Sequence, residues 1–239
     1  MLTGKRAVVT GGGRDFGQAV SVWLAREGVE VDICARQLAR AQQTQNIIRS
    51  EGGRARAYQC DIADMASVSA FSQSLLQDER PIDILVLSAA QWLEGALGVQ
   101  DDAADIVGTI NSGLTGNIVL TRALLPSLRL STGADIIVMV STCGIPQFTQ
   151  SSAHPAFFAA KQGIGGFCHN IAHHLAEEDI RVTGFFPPDF EVSGLDDVPG
   201  EQPGKAPLNA RSIWETMRFV LQQPRSCHIN AIHFQGPCR

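Results

Sequence analysis

A glycine-rich segment near the start of the chain has the residue types and spacing that most directly indicate chemistry. It spans Thr10–Gly17, reads TGGGRDFG, and lies between a short apolar run, Ala7–Thr10, and a helical pattern that begins at Phe16. Glycines permit a tight turn and a close approach of the backbone to a ligand, and the first turn of a helix presents unpaired N–H groups. The segment therefore predicts a pyrophosphate-binding turn, with Asp15 as the N-cap of the helix.

Strands and helices alternate along the whole chain, and their order decides where this turn must lie. Apolar runs predict strands at Ala7–Thr10, Val29–Ala35, Arg56–Cys60, Ile82–Ser88, Ala134–Val140, Ile180–Phe186 and His228–Phe234, and periodic patterns predict helices at Phe16–Glu27, Leu38–Glu51, Met65–Gln77, Asp101–Leu130, Pro155–Glu178 and Ala210–Leu221. Helices between strands indicate crossover connections and a parallel sheet with helices on both faces. The predicted fold is a single doubly wound α/β domain over residues 1–239, with its ligand at the carboxyl ends of the strands.

One segment interrupts the alternation. Pro187–Asn209 is rich in proline, glycine and acidic residues and is longer than an ordinary connection, so it is either a lid over a site or a disordered linker. A predicted helix and a strand follow it. The segment is therefore expected to be an insertion into the domain and not a boundary between two domains.

Composition excludes several classes of protein. The 239 residues are 44% hydrophobic and 18% charged, which is typical of a globular chain and not of a disordered one. No apolar run is long enough for a membrane span, no signal peptide is recognisable, and a net charge of −5 argues against nucleic acid as a partner. The six cysteines form no metal-ligand spacing, so we expect reduced thiols, no metal site and a cytoplasmic location.

The glycine-rich turn and the segments after it resemble the short-chain dehydrogenases/reductases over essentially the whole chain. The family pattern TGxxxGxG is matched by Thr10, Gly11 and Gly17, with Asp15 in place of the middle glycine. The resemblance implies a Rossmann-type domain with strand order 3-2-1-4-5-6-7. It also implies a nicotinamide dinucleotide cofactor and the transfer of a hydride to or from a small organic substrate.

The end of the second strand distinguishes between the two nicotinamide dinucleotides. An NAD site needs an acid there for the ribose 2′-hydroxyl, whereas an NADP site needs a cation for the 2′-phosphate. This chain has Arg36 at the strand end and Arg14 in the turn, and Asp32 lies inside the strand. We therefore predict NADP, with NAD less favoured. The residues predicted to bind it are Gly11, Gly13, Arg14, Phe16, Gly17, Arg36, Asp61, Ile62, Ser88, Ala89, Ala90, Lys161, Pro187 and Phe190.

The resemblance implies four catalytic positions, of which this chain keeps one unchanged. The family has a tyrosine acid followed four residues later by a lysine, and this segment reads FFAAK over Phe157–Lys161. The family serine falls at Ser141-Thr142, with Thr142 in the better register, and the family asparagine falls on Gly113. The predicted catalytic residues are therefore Lys161, Thr142, Ser141 and Phe157, without the phenol that would act as general acid.

The missing phenol leaves three possibilities open. The substrate needs no phenol, as an iminium or an activated double bond would not; or Thr142, His154 or the substrate itself supplies the proton; or NADP binds without turnover. The first two describe an NADP-dependent oxidoreductase with atypical chemistry, and the third describes a non-catalytic NADP-binding protein with a regulatory or assembly role. His154 also fits a helix cap, and the spacing of His169, His173 and His174 is typical of a surface helix.

The remaining expectations concern the pocket and assembly. The segment Gln91-Trp92-Leu93 and four phenylalanines are predicted to line an apolar cleft under the insertion, namely Phe148, Phe157, Phe158 and Phe190, although Phe158 fits the core equally well. The two longest predicted helices carry apolar residues on more than one face, including Ile118, Phe167 and Ile171. Because a helix that is apolar on two sides normally buries both, we expect a homotetramer or at least a homodimer.

Overall fold

A parallel seven-stranded sheet forms the centre of the molecule. The computed structural model describes residues 2–98, 100–196 and 208–235. The strands are β1 (Arg6–Thr10), β2 (Glu30–Ala35), β3 (Ala55–Gln59), β4 (Ile84–Leu87), β5 (Ala134–Met139), β6 (Ile180–Phe186), β7 (Phe190–Glu191), β8 (Leu208–Asn209) and β9 (Ala231–His233). The large sheet has the order β3-β2-β1-β4-β5-β6-β9, and β7 pairs with β8 in a separate two-stranded sheet. This is the predicted doubly wound topology, with the last strand numbered nine because of the small second sheet.

Helices cover both faces of the large sheet. They are α1 (Asp15–Arg26), α2 (Leu38–Ser50), α3 (Met65–Leu76), α4 (Ala103–Ile110), α5 (Gly116–Leu128), α6 (Pro155–His174) and α7 (Ala210–Gln222). The residues buried between sheet and helices form two clusters, one on each face. Trp23 of α1 and Trp214 of α7 stack in the first cluster, and Leu120 and Leu124 of α5 are fully buried in the second.

Two predicted helices differ from the observed ones. The helix expected over Asp101–Leu130 is divided into α4 and α5 by a π turn at Asn111–Thr115. The helix expected to end at Glu178 ends at His174, and a short 3-10 turn over Ala176–Glu178 follows it. Apolar periodicity continues through both irregularities, so the pattern could not locate them.

The acidic residue inside β2 has a structural role. Asp32 is fully buried, and its carboxylate accepts from Arg6 Nε at 2.8 Å and from Arg56 Nε at 2.7 Å. A buried carboxylate is costly unless it is paired, and Arg6 and Arg56 supply this pairing to Asp32. Asp32 is therefore not available to a ligand at the end of the strand.

The predicted insertion begins directly after β6. Its described part contains β7 and β8, while residues 197–207 of it lie outside the described residues. In the parts of the chain that the structure describes, no helix has the length and apolar character needed to cross a membrane.

Candidate functional site

A cavity of about 1030 Å³ opens where the parallel strands end. The first or second residue after each of β1 to β6 lies on the wall of the cavity. These residues are Gly11, Arg36, Cys60, Ser88, Ser141 and Pro187. All fourteen predicted cofactor-binding residues line it, namely Gly11, Gly13, Arg14, Phe16, Gly17, Arg36, Asp61, Ile62, Ser88, Ala89, Ala90, Lys161, Pro187 and Phe190. The topology therefore brings together residues that lie up to 179 positions apart in the chain (Gly11 to Phe190).

The glycine-rich turn packs too tightly for side chains. A Cβ atom at Gly17 would lie 2.3 Å from the carbonyl oxygen of Gly11, and one at Gly13 would lie 2.8 Å from the Cβ of Ala35. Thr44 of α2 donates a hydrogen bond of 2.8 Å to the carbonyl oxygen of Gly12. These contacts hold the start of α1 against β2, at the wall of the cavity. The unpaired N–H groups at the start of a helix are suited to bind a phosphate group.

The predicted N-cap at Asp15 is wrong. The cap is Arg14, which is in an extended conformation and makes no side-chain capping bond, and Asp15 is the first residue of α1. Asp15 has a φ of +48°, in the left-handed region that favours glycine. Its carboxylate lies 3.3 Å from Arg14 Nε, and both side chains are 73% exposed.

The end of the cavity near α2 is basic, and we call it the arginine end. Arg14, Arg36 and Arg40 line it, with Arg36 and Arg40 both exposed. Sequence reasoning missed Arg40, although its spacing of four residues from Arg36, at the start of a predicted helix, was the available signal. Three guanidinium groups around one opening can bind a phosphate through charge-assisted hydrogen bonds.

The ends of β1 and β4 are joined by one threonine. Thr10 Oγ1 accepts hydrogen bonds from the backbone N–H groups of Ser88, at 3.0 Å, and Ala89, at 3.1 Å. A Cβ atom at Gly11 would lie 3.1 Å from the Cα of Ala89, so this part of the wall consists of backbone and small side chains. Nearby, Asp61 Oδ1 accepts from the N–H of Ala63 and so orders the loop after β3.

The opposite end of the cavity is built around a buried lysine, and we call it the Lys161 end. Its wall contains Gln91, Trp92, Ser112, Met139, Ser141, Phe157 and Lys161. Lys161 Nζ donates a 2.8 Å hydrogen bond to the carbonyl oxygen of Met139 and lies 5.4 Å from the centre of the Phe157 ring. Both side chains are 7% exposed. The pKa of Lys161 is lowered to about 8, mainly because burial disfavours its charged form.

The hydroxyl predicted to be best placed is not on the cavity wall. Ser141 lines the cavity, whereas Thr142 does not and instead begins the 3-10 turn Thr142–Gly144. Ser141 has a φ of +91°, and its Oγ accepts from the N–H of Cys143 at 3.3 Å. The Thr142 N–H donates to the carbonyl oxygen of Pro187. The turn therefore directs residue 141 into the cavity, which register alone did not show.

Aromatic side chains line both ends of the cavity. Trp92, Phe157 and Phe190 lie on its wall as expected; the Trp92 and Phe157 rings meet edge to face with centroids 4.8 Å apart at the Lys161 end, and Phe190 packs against Phe16 of the glycine-rich turn. Phe148 and Phe158 are not on the wall, and they pack with Phe157 in a small apolar cluster behind it. The Lys161 end therefore combines one cation with a largely apolar surface.

His154 caps a helix. Its Nδ1 accepts from the N–H of Ala156 at 3.0 Å, so Nε2 carries the proton and donates to Asp101 at 3.2 Å. Its ring is buried and does not line the cavity. The helix-cap interpretation is confirmed. Among the described residues, no three histidine, cysteine or acidic side chains converge as metal ligands.

Comparison with known proteins decides the family. The family profile described as short chain dehydrogenase matches residues 5–201. The chain is 30% identical over 227 residues to the uncharacterized oxidoreductase YxbG of Bacillus subtilis, covering 94% of this chain and 81% of the relative. The chain belongs to the short-chain dehydrogenases. It is therefore an oxidoreductase-type protein by family.

Solved structures agree with this short-chain dehydrogenase in fold. A metagenomic short-chain oxidoreductase in complex with NADP has a TM-score of 0.81 at 23% identity, covering 97% of this chain and 96% of that one. An NAD+-bound xylitol dehydrogenase has a TM-score of 0.85 at 20% identity, and the alignment covers 99% of both chains. The two carry different dinucleotides, so the shared fold does not by itself select one.

Gly113 of this dehydrogenase lies in the π turn and packs against α6. A Cβ atom at Gly113 would be 2.9 Å from the Cβ of Ala160, one residue before Lys161. A side chain at position 113 would therefore require a shift of the π turn or of α6. The close approach of the π turn depends on this glycine.

Proposed function

We propose that this short-chain dehydrogenase is an NADP-dependent oxidoreductase that reduces a small organic substrate by an atypical route of proton transfer. The observation that carries the proposal is one continuous cavity with two chemically different ends. The glycine-rich turn and three arginines lie at the arginine end, and a buried ammonium group beside aromatic rings lies at the Lys161 end. A dinucleotide needs both a phosphate-binding end and an enclosed end for reaction.

The charges at the arginine end support NADP. Arg14, Arg36 and Arg40 surround the position where the ribose 2′-phosphate of NADP would need cations. Asp32, the acid nearest along β2, is fully buried between two arginines and so does not offer a carboxylate to the 2′-hydroxyl of NAD. The bound NADP in the metagenomic relative is consistent with this choice.

The residues present fit the cofactor. The crowded glycines leave room for backbone approach, and the start of α1 supplies N–H groups for the pyrophosphate. Asp61 and Ile62 would hold the adenine, and Lys161 would hold the nicotinamide ribose, as the family resemblance implies. When it is bound, NADPH supplies the hydride. Ser141 and Lys161 would orient the oxygen of the substrate, and Trp92 and Phe157 would exclude water.

The atypical feature is residue 157. The family places a tyrosine there, and the phenyl ring of Phe157 has no proton to give. This residue favours a second candidate function, a non-catalytic NADP-binding protein with a regulatory or assembly role. In that case the arginine end would still bind the phosphate of NADP, and the Lys161 end would bind the nicotinamide ribose without catalysing a reaction.

Two measurements on the purified protein separate these functions. The first is the affinity for NADPH and for NADH, which is measured from the change in fluorescence of the reduced nicotinamide on binding. The second is the oxidation of NADPH in the presence of ketones, cyclic imines and quinones. Tighter binding of NADPH together with oxidation by any of these classes supports the oxidoreductase.

Each negative result has a definite meaning. Binding of NADPH without oxidation across all three classes supports the non-catalytic protein. Equal affinities for the two dinucleotides contradict the choice of NADP. Oxidation only with imines would indicate a substrate that is already protonated before the hydride arrives.

A further inference from the structure

The Lys161 end contains few groups that can release a proton near neutral pH. Its wall has the amide of Gln91, the indole of Trp92 and the hydroxyl groups of Ser112 and Ser141, none of which is an effective acid in this range. The phenyl ring of Phe157 has no dissociable proton. Among the described residues of this wall, the ammonium group of Lys161 is the group that can release a proton in this pH range.

We propose that Lys161 Nζ is the general acid of this dehydrogenase, the role that a tyrosine phenol has elsewhere in the family. This inference rests on the proposed oxidoreductase function. As the carbonyl carbon of the substrate accepts the hydride from NADPH, an N–H bond of Lys161 breaks and its proton forms the O–H bond of the alcohol. Lys161 is left as a neutral amine, which regains a proton from solvent when the product has left.

The position of Nζ supports this role. One N–H is held by the carbonyl oxygen of Met139 at 2.8 Å, which fixes the group and leaves its two other protons for the cavity. Lys161 forms no ion pair with any carboxylate of residues 2–98, 100–196 and 208–235. An ammonium group that is buried without a carboxylate gives up its proton more readily than one that is paired.

Two other titratable groups bear on Lys161. Cys143, in the 3-10 turn after β5, raises the pKa of Lys161 and so opposes the effect of burial. Asp189, after β6, is exposed on the wall of the same cavity and forms no ion pair with Lys161. Burial is the main cause that lowers the pKa of Lys161 to about 8, which is close to the operating pH that general acid catalysis favours.

The chain offers a direct test that needs no substrate. It has only three lysines, Lys5, Lys161 and Lys205. Protein labelled with ¹³C at the lysine ε-carbon therefore gives three signals, and Lys161→Arg removes one of them. We expect that signal to titrate near pH 8 both with and without NADP+. Titration of that signal above pH 10 would overturn the proposal.

Kinetics test the role itself, using the best carbonyl substrate of the NADPH oxidation panel. Lys161→Arg keeps a positive charge but holds its proton too tightly to act as an acid, and Lys161→Met removes both properties. We expect Lys161→Arg to bind NADPH within a few-fold of the unmodified protein and to lose roughly 100-fold or more in kcat. The kcat of the unmodified protein should fall as the pH rises through 8, and this decline should be absent in Lys161→Arg.

The outcomes distinguish this inference from the function on which it rests. If NADPH binds but no substrate class is reduced, both the oxidoreductase function and the role of Lys161 are wrong. If carbonyl reduction is efficient but Lys161→Arg keeps its kcat, only the role of Lys161 is wrong. The same follows if Asp189→Asn, which changes the exposed carboxylate on the wall after β6, removes the decline in kcat instead.

Discussion

Under the proposed function, Arg36 is the residue expected to distinguish NADP from NAD. Its side chain is exposed at the end of β2 and lines the arginine end together with Arg14 and Arg40. An exposed guanidinium group there gains a strong partner only when a phosphate is bound, because charge-assisted hydrogen bonds to phosphate exceed those to water and neutral hydroxyls. The proposed preference for NADPH should therefore depend on this position.

We expect Arg36→Asp to weaken NADPH binding by about 1–3 kcal/mol, the contribution of a hydrogen bond to a charged group, and to leave NADH binding unchanged or improved. Fluorescence titration with both dinucleotides measures this. Arg122→Asp makes the same change of charge at an exposed site on α5 and is the matched control. A parallel loss of affinity for NADPH and NADH in Arg36→Asp would contradict phosphate recognition by Arg36.

Lys161 also links stability to pH. Its pKa is about 8 in the folded protein, below the usual value of about 10.4 in an unfolded chain. Between these two pH values the unfolded state binds more protons, so the free energy of unfolding rises with pH.

Relative to Lys161→Met, the unmodified protein should gain about 3 kcal/mol of unfolding free energy between pH 7 and roughly pH 10.5. Urea unfolding of both proteins at each pH measures the difference, and groups that titrate equally in both cancel. If the difference in unfolding free energy between the two proteins stays constant over this pH range, the Lys161 ammonium is not destabilised by burial.

The turn between β1 and α1 places a non-glycine residue, Asp15, in a backbone conformation that favours glycine. Asp15 has a φ of +48° at the position where the family pattern has glycine. A non-glycine residue in the left-handed region costs roughly 1–2 kcal/mol, although aspartate tolerates it better than most residues do. Its carboxylate also lies at the start of α1, where the pyrophosphate would bind.

Removal of this carboxylate should strengthen cofactor binding. We expect both Asp15→Gly and Asp15→Asn to tighten NADPH binding by roughly 0.5–1 kcal/mol, because each removes a negative charge beside the phosphates. Only Asp15→Gly should also relieve the backbone, which thermal unfolding without cofactor would report. An unchanged affinity in Asp15→Asn would mean that Arg14 already neutralises this charge.

For the whole molecule, the question is what covers the outer faces of α5 and α6. Ile118, Phe167 and Ile171 pack against the core beneath these helices but remain partly exposed. We propose that a second copy of the chain covers them, giving a homotetramer or at least a homodimer, since apolar helix faces are normally buried.

Light scattering at micromolar concentration should therefore report a homo-oligomer. Phe167→Glu should shift the protein toward the monomer, while Phe219→Glu, at an exposed phenylalanine of α7, should not. A monomeric unmodified protein would contradict the proposal. An equal effect of both variants would show that the loss of assembly is not specific to α6.

The amino-acid sequence by itself determined the alternation of strands and helices and the edge of the sheet at which a ligand would bind, while the strand order was implied by the family resemblance. Apolar periodicity is a local signal, and parallel strands joined by helices bring their carboxyl ends to one edge of the sheet. Residues that directly follow strands, such as Gly11, Arg36 and Ser88, were therefore predicted to share a site before any distance was known.

The tertiary structure decided the features that depend on contacts between distant segments. The π turn forms where Gly113 and Gly116 lie against α6 and the loop after β3, and Ser141 faces the cavity because the turn at Thr142 bonds to Pro187. The low pKa of Lys161 likewise depends on burial by several elements. Such effects arise from packing in three dimensions, and no local pattern in the sequence encodes them.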